Sequence, residues 1–270
     1  MSIINECAKL VDEVRKACPL VHNITNYVTV NDVANIELAM GSSPIMADDE
    51  NEVCDITSIS KALVINIGTL NSRTIEAMLK AGKTANEKNI PVVLDPVGAG
   101  ASKLRNDTTK KILDCIKCAV IRGNLSEMSF IAGLDVSTKG VDSSDADSKN
   151  DKLSVAKTVA EKYGCVAAIT GEIDVVTDLK RTAEISNGHK MLSSVTGTGC
   201  MTSGLVGGYC GAGDNFIAAV TAISSMGIAG EKSFEKFGTY GTGSFHIGII
   251  DEISRLDSKT FMERAKINEL

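Results

Sequence analysis

The sequence predicts an α/β protein built on a mostly parallel central sheet with helices on both faces, and three observations predict it. Short aliphatic runs rich in Val and Ile recur along the chain up to residue 170, and each closes on Gly, Asn, Asp or a neighbouring polar residue. Longer segments with apolar residues at helical spacing separate them. The runs read as continuously apolar rather than alternating, as strands do when both of their faces are covered. Strand, helix, strand in that order makes βαβ units and a parallel sheet.

Taken in order, residues 1–18 form an amphipathic helix, because Glu6, Lys9, Asp12, Glu13, Arg15 and Lys16 interrupt the apolar residues. The same charges argue against an export signal. Strands are expected at Leu20–His22, Pro44–Met46, Ala62–Ile67, Val92–Asp95, Ala119–Arg122 and Val166–Thr170. Helices are expected near Val30–Met40, Asn71–Lys88, Arg105–Ile116 and Leu153–Tyr163. Beyond Thr170 the texture changes: Asp174–Thr177 and Thr182–Ile185 read as an antiparallel extension turning near Leu179 and Lys180, and Gly197–Leu256 as largely helical. The Ser/Asp-rich stretch Ser137–Asp151 reads as a polar surface loop. No linker and no internal repeat interrupts the chain, so one domain spanning 1–270 is expected.

Composition narrows the function. The 270 residues carry a formal net charge of -6 and only 4% aromatics, with no basic stripe, which argues against a nucleic-acid partner. No uncharged apolar run approaches the roughly 20 residues of a membrane span, so no membrane partner and a cytoplasmic location are expected. The eight cysteines are expected as reduced thiols in a chain long enough to build its own core. Cys115 and Cys118 form a single CxxC with no second pair, and His22, His189 and His246 are the only histidines, so zinc is not expected.

Two motifs are decoys. Ala77–Thr84 fits a relaxed phosphate-loop pattern, but the preceding strand ends near Gly68, and Ile75, Met78, Leu79 and Gly82 recur at helical spacing. Gly98 and Gly100 make half of a dinucleotide fingerprint, without its third glycine or its later acidic residue.

Four other segments carry chemistry. Thr196-Gly-Thr-Gly-Cys200 precedes a small-residue helix, so its glycines can aim backbone N–H groups and the positive helix end at an anion. A tight turn alone would use the same residues. Asp95-Pro-Val-Gly-Ala-Gly100 sets a carboxylate at a strand end, where it can hold magnesium or simply begin a turn. Arg122-Gly-Asn124-Leu-Ser-Glu127 supplies a cation for a polyphosphate and an N-x-x-E pair. That pair is also the pattern of a capping box, which competes for the Glu127 carboxylate. Ala168-Ile-Thr-Gly171 ends a strand on a hydroxyl that can bond phosphate. All four fall on one edge of one sheet, where open parallel sheets bind ligands. Together they point to phosphoryl transfer from ATP to a small-molecule hydroxyl.

These residues resemble the ribokinase-like kinases and, within them, the hydroxyethylthiazole kinase family. The matching stretches are Pro19-Leu-Val-His-Asn-Ile-Thr-Asn26, Gly41-Ser-Ser-Pro-Ile-Met46, Asn66-Ile-Gly-Thr69 and Leu94-Asp-Pro-Val-Gly-Ala-Gly-Ala101. They continue with Ile121-Arg-Gly-Asn124, Lys139-Gly-Val-Asp142, Ile169-Thr-Gly-Glu172, Asn187-Gly-His-Lys190 and Thr196-Gly-Thr-Gly-Cys200. The resemblance implies a ribokinase-like fold without a separate lid domain. It implies ATP as co-substrate, Mg2+ as cofactor, and the hydroxyethyl alcohol of 4-methyl-5-(2-hydroxyethyl)thiazole as acceptor in thiamine salvage. By the same resemblance Arg122 and Thr170 contact ATP, and Asp95 and Glu127 serve the metal. Met46, Gly197 and Asn26 border the thiazole pocket, and Cys200 stands where other ribokinase-like enzymes place an Asp base. A homotrimer with active sites at subunit interfaces is implied as well.

Two rival readings remain open on the sequence. Another ribokinase-like kinase, acting for instance on the hydroxymethylpyrimidine half of thiamine, is opposed by Cys200 and the Asn23–Asn26 stretch. A non-catalytic module that binds ATP or a thiamine precursor is opposed by the full set of Asp95, Arg122 and Glu127.

Overall fold

Nine strands join in one sheet in the order β2-β1-β3-β4-β5-β6-β7-β8-β9. The computed structural model describes residues 2–134 and 145–270. The strands are β1 (Leu20–Ile24), β2 (Ser43–Met46), β3 (Ala62–Asn66), β4 (Val92–Asp95), β5 (Val120–Asn124), β6 (Val166–Thr170), β7 (Asp174–Thr177), β8 (Thr182–Ile185) and β9 (Ile267–Glu269). The run from β2 to β6 is parallel, and β7, β8 and β9 extend it antiparallel. This is the mostly parallel α/β sheet expected, although the short β9 lacks the apolar run that would have marked it.

Strand residues alternate between two cores, as the two-residue pleat demands. Val21, Val64, Val93 and Val120 face one core; Leu63, Ile65, Leu94 and Ile121 face the other. The first face is covered by α1 (Ile3–Ala17), α2 (Val30–Met40), α8 (Thr198–Cys210), α9 (Asn215–Phe237), α10 (Thr242–Ser254) and α11 (Ser258–Arg264). The second is covered by α3 (Val53–Ile59), α4 (Ser72–Glu87), α5 (Lys103–Cys115), α6 (Leu125–Ala132) and α7 (Asp145–Tyr163).

Helix α8 packs tightly against the sheet. A Cβ added to Gly207 would stand 2.4 Å from Val64 Cγ2 and 3.2 Å from Val21 Cγ1, so only glycine allows this approach. The helix runs from the carboxyl ends of the strands, where it begins, to Gly211 beside Pro19 and Lys61 at their starts.

The decoys resolve as helix and turn. Ala77–Thr84 lies wholly within α4, with Ala77, Met78, Leu79, Ala81 and Gly82 buried, Lys80 paired to Glu50 at 2.6 Å and Lys83 exposed. Cys115 ends α5 on the surface and Cys118 is buried. One expectation needs correction: of the stretch read as a surface loop, Asp145–Asp151 belongs to α7. A polar run suits a solvated helix as well as a loop, so composition could not separate them. The rest of that stretch, Ser137–Ser144, and the segment Lys139–Asp142 lie outside the described residues.

Candidate active site

The strand order places a crevice before any side chain is considered. From β1 the chain crosses to β2 on one side, and the next crossover brings β3 to the other side. Helices leaving in opposite directions part at such a switch point, beyond the strands' carboxyl ends. Asn26 follows β1, Asn66 ends β3, Asp95 ends β4, and α8 begins at Thr198 over the same edge. The N-cap of α8 is Gly197 at φ 88, a left-handed conformation that favours glycine. A side chain there would meet Thr29 Cγ2 at 2.8 Å. Because Gly197 has no side chain to cap with, the first N–H groups of α8 lack the side-chain acceptor that Asn71 and Asn124 give α4 and α6.

Cys200 sits in the first turn of α8. Its Sγ accepts from Asn26 Nδ2 at 3.2 Å and from Asn66 Nδ2 at 3.3 Å. Asn26 Oδ1 in turn accepts from the backbone N–H and the hydroxyl of Thr29, each at 3.1 Å.

Asp95 is the most buried carboxylate of this edge, at 1% exposure. Its Oδ2 accepts from Asn66 Nδ2 and from the Ser203 hydroxyl, each at 2.8 Å. Arg122 stands 3.8 Å away, too far for a hydrogen bond but close enough for charge. Burial pushes this carboxyl up to about 6, against the pull of Arg122 and of the Ser203 and Asn66 hydrogen bonds. Oδ1 is buried without a partner, as is Arg122 Nε. At a strand-end crevice, an unpartnered carboxylate oxygen is free to accept a cation or a water.

Arg122 Nη2 donates to Thr170 Oγ1 at 2.8 Å, joining the two residues that the resemblance implies for ATP. A Cβ on Gly199 would stand 3.0 Å from Arg122 Nη1, so the glycine turn passes directly beside the guanidinium. Behind Thr170, the N–H of Gly171 donates to Asp174 at 2.8 Å, and burial pushes Asp174 up to about 7.

Glu127 shows the capping box. Asn124 Oδ1 accepts from the Glu127 N–H and Glu127 Oε2 from the Asn124 N–H, both at 2.9 Å. Its Oε1 accepts the N–H of Gly98 at 2.8 Å, tying α6 to the loop after β4. Each carboxylate oxygen has a second lone pair, so the cap leaves room for a further bond to a cation or its water. Met46 closes β2, paired with Asn23 on β1, farther along the same edge.

Asn26, Asp95, Arg122, Thr170 and Cys200 are thus one connected cluster, Gly197 lies one turn from it, and Glu127 reaches it through the Gly98 loop. Reading the sequence missed Asn66 and Ser203 as parts of this cluster. Asn66 stood in a quoted motif without a role, and its pairing with Asp95 follows only from strand register. Ser203 is three residues after Cys200, which on a helix means the same face. Reading also missed Arg105, whose guanidinium donates to the carbonyls of Ile67, Gly68 and Val97 and pins two of the edge loops. Two clefts of about 420 and 690 Å³ open at the opposite edge, lined among others by Asn86, Lys117 and Cys118. None of the clustered residues lines them.

The hydroxyethylthiazole kinase family model matches residues 11–259, nearly the whole chain. The chain belongs to the hydroxyethylthiazole kinase family. A hydroxyethylthiazole kinase of Ruminiclostridium cellulolyticum is 62% identical over 98% of both chains. One from Clostridium beijerinckii is 60% identical over 97% of this chain and 96% of its own. The solved hydroxyethylthiazole kinase protein of Pyrococcus horikoshii superposes with a TM-score of 0.90 at 37% identity, over 98% of both chains. Staphylococcus aureus pyridoxal kinase, solved with AMP-PCP and pyridoxal, shares the fold alone, with a TM-score of 0.61 at 16% identity over 78% of this chain and 86% of its own. The fold is therefore that of the ribokinase-like enzymes expected from the resemblance. Among the described residues no helix is long and apolar enough to cross a membrane.

Proposed function

We propose that this chain transfers the γ-phosphoryl group of ATP to the hydroxyethyl alcohol of 4-methyl-5-(2-hydroxyethyl)thiazole, a salvage step toward thiamine, in the cytoplasm and as a single kinase domain. The observation that carries the reading is the joined cluster at the switch point. A nucleotide cation, a metal-type carboxylate and an open helix N-terminus meet within one network, beside a cysteine whose sulfur points into it.

Each residue then has a task. Arg122 and Thr170 bind and orient the triphosphate, and the glycine turn of α8 presents N–H groups to the charge that grows on the moving phosphoryl group. Magnesium fits the donor set: Asp95 offers a hard oxygen with no other partner, and Glu127 a second carboxylate nearby. When bound, the ion neutralises phosphate charge and orients the polyphosphate. Cys200 Sγ, as the thiolate, accepts the proton of the substrate hydroxyl and becomes the thiol, held toward it by Asn26 and Asn66. Gly197 and Asn26 border the alcohol's site and Met46 flanks it.

A homotrimer with interfacial active sites accords with the surface around the glycine turn. Tyr27 and Val28 are 80% and 56% exposed, immediately before Thr29, which touches Gly197. Leu38 on α2 and Ile247 on α10, two helices packed together, are likewise exposed. Apolar exposure bordering a site is what a second copy covers.

Incubating the protein with Mg-ATP and a panel of vitamin-precursor alcohols tests the reading. The thiazole alcohol is expected to be phosphorylated with the highest kcat/KM, and preference for the hydroxymethylpyrimidine or no product at all would overturn it.

A further inference from the structure

We propose that Asn66 is a positioning residue for the phosphoryl transfer, fixing the direction of the Cys200 sulfur relative to Asp95. The inference rests on the reading of Cys200 as proton acceptor given above and adds a residue to it.

The carboxamide of Asn66 is buried at 1% exposure and uses every hydrogen-bonding position it has. One Nδ2 proton goes to Asp95 Oδ2 at 2.8 Å and the other to Cys200 Sγ at 3.3 Å. Oδ1 accepts from Asn26 Nδ2 at 3.0 Å and from the Gly68 N–H at 2.9 Å. The orientation is not ambiguous: a backbone N–H can only donate, so the amide oxygen must face Gly68. Strand register places the group, since Asn66 and Asp95 are paired residues at the ends of β3 and β4.

Three consequences follow from this bonding. Both N–H groups on the sulfur come from residues at the carboxyl ends of strands, Asn66 ending β3 and Asn26 following β1, and a thiolate that accepts both keeps one further lone pair for the proton of an alcohol. Losing Asn66 removes one donor on the sulfur outright and takes from the other, Asn26 Nδ2, the acceptor that directs it, leaving Asn26 held only through its Oδ1 by Thr29. Asp95 keeps its Ser203 bond in that case, so the sulfur is the group that drifts. Reacting groups displaced by about 1 Å cost roughly 10²-fold in rate.

The test is a double-mutant cycle. Asn66→Ala is expected to lower kcat by about 30-fold or more, with KM for ATP and for the alcohol each within about threefold, because Asn66 gives every hydrogen-bonding position to protein partners. In a Cys200→Ala background the same change is expected to cost less than about threefold, because the group it positions is gone. Circular dichroism and binding of a non-hydrolysable ATP analogue check that each variant is folded. If Asn66→Ala is insoluble, Asn66→Asp serves the same cycle, keeping shape and the Oδ1 acceptor while removing the donor. Costs that multiply across the cycle, or a KM that rises as far as kcat falls, overturn the inference. Should Cys200→Ala alone cost less than about tenfold, the reading of Cys200 fails and the inference with it. If Cys200→Ala is costly and Asn66 variants keep normal kcat, only the inference fails.

Discussion

At the scale of single residues, the proposed proton acceptor is the sulfur of Cys200, and its surroundings explain how a sulfur can serve. It sits on a helix N-terminus and accepts two amide N–H groups, which together orient it without need of a charged partner. Cys200→Ala is expected to cost about 10²-fold in kcat, the lower end of general-base contributions. Cys200→Asp is expected to keep activity, since a carboxylate hydrogen-bonded by the same two amides can accept the same substrate proton. Steady-state kinetics of both variants check this, and an Asp variant that binds both ligands yet scarcely turns over would show that repulsion of the phosphoryl group dominates. Asp95→Ala should lower turnover by about 10²-fold and raise the magnesium requirement, because it removes the only oxygen of the cluster lacking a partner. A magnesium titration at saturating ATP measures it; unchanged dependence would remove Asp95 from the metal site. Glu127→Gln is subtler than the sequence suggested. Gln can satisfy one backbone N–H but must turn its own NH2 toward the other, so the tie to Gly98 or the cap is lost along with the charge.

At the scale of elements, most of the sheet was legible because buried parallel strands write themselves as apolar runs. The site residues at strand ends were legible for the same reason, since a polar residue closing such a run has few places to go. Asn66 shows what was not legible: nothing in its own sequence neighbourhood reveals that Asp95 lies alongside, because pairing is a property of register. The first helical turns of α7 and the short β9 also escaped, one too polar and the other too brief to carry a pattern. Packing of α8 supplies two tests. Gly207→Ala would drive a methyl group into Val64 and is expected to destabilise by about 1–3 kcal/mol, read by thermal or urea unfolding. Beneath Gly204, Glu37 of α2 is fully buried, with one hydrogen bond from Asn23 and one oxygen unpartnered. Burial raises this carboxyl well above the usual range. A raised folded value means that the folded protein holds a proton which the unfolded chain releases above its own value of 4.5, so stability falls as pH rises from there toward the folded value. Glu37→Gln is therefore expected to raise the melting temperature at pH 8, with the gain vanishing near pH 4. An equal difference at both pH values would contradict this. Lys83→Ala on α4 should change ATP affinity less than about threefold, as a surface substitution does; a far larger loss would revive the phosphate loop there.

At the scale of the whole molecule, a ribokinase-like sheet carries a cluster at its switch point and an exposed apolar rim beside the glycine turn. The rim predicts a homo-oligomer, a trimer by resemblance, with activity lost on dilution to monomer; light scattering and activity across one dilution series would show it, and a fully active monomer would contradict it. The central claim, however, is the transfer itself, and phosphorus NMR of a single reaction mixture tests it most directly. With Mg-ATP and the thiazole alcohol, the γ-phosphate signal is expected to be replaced by one phosphomonoester on the hydroxyethyl carbon, in step with ADP, with no ADP formed when the alcohol is omitted. ADP accompanied by inorganic phosphate alone, or formed at the same rate without the alcohol, would contradict it.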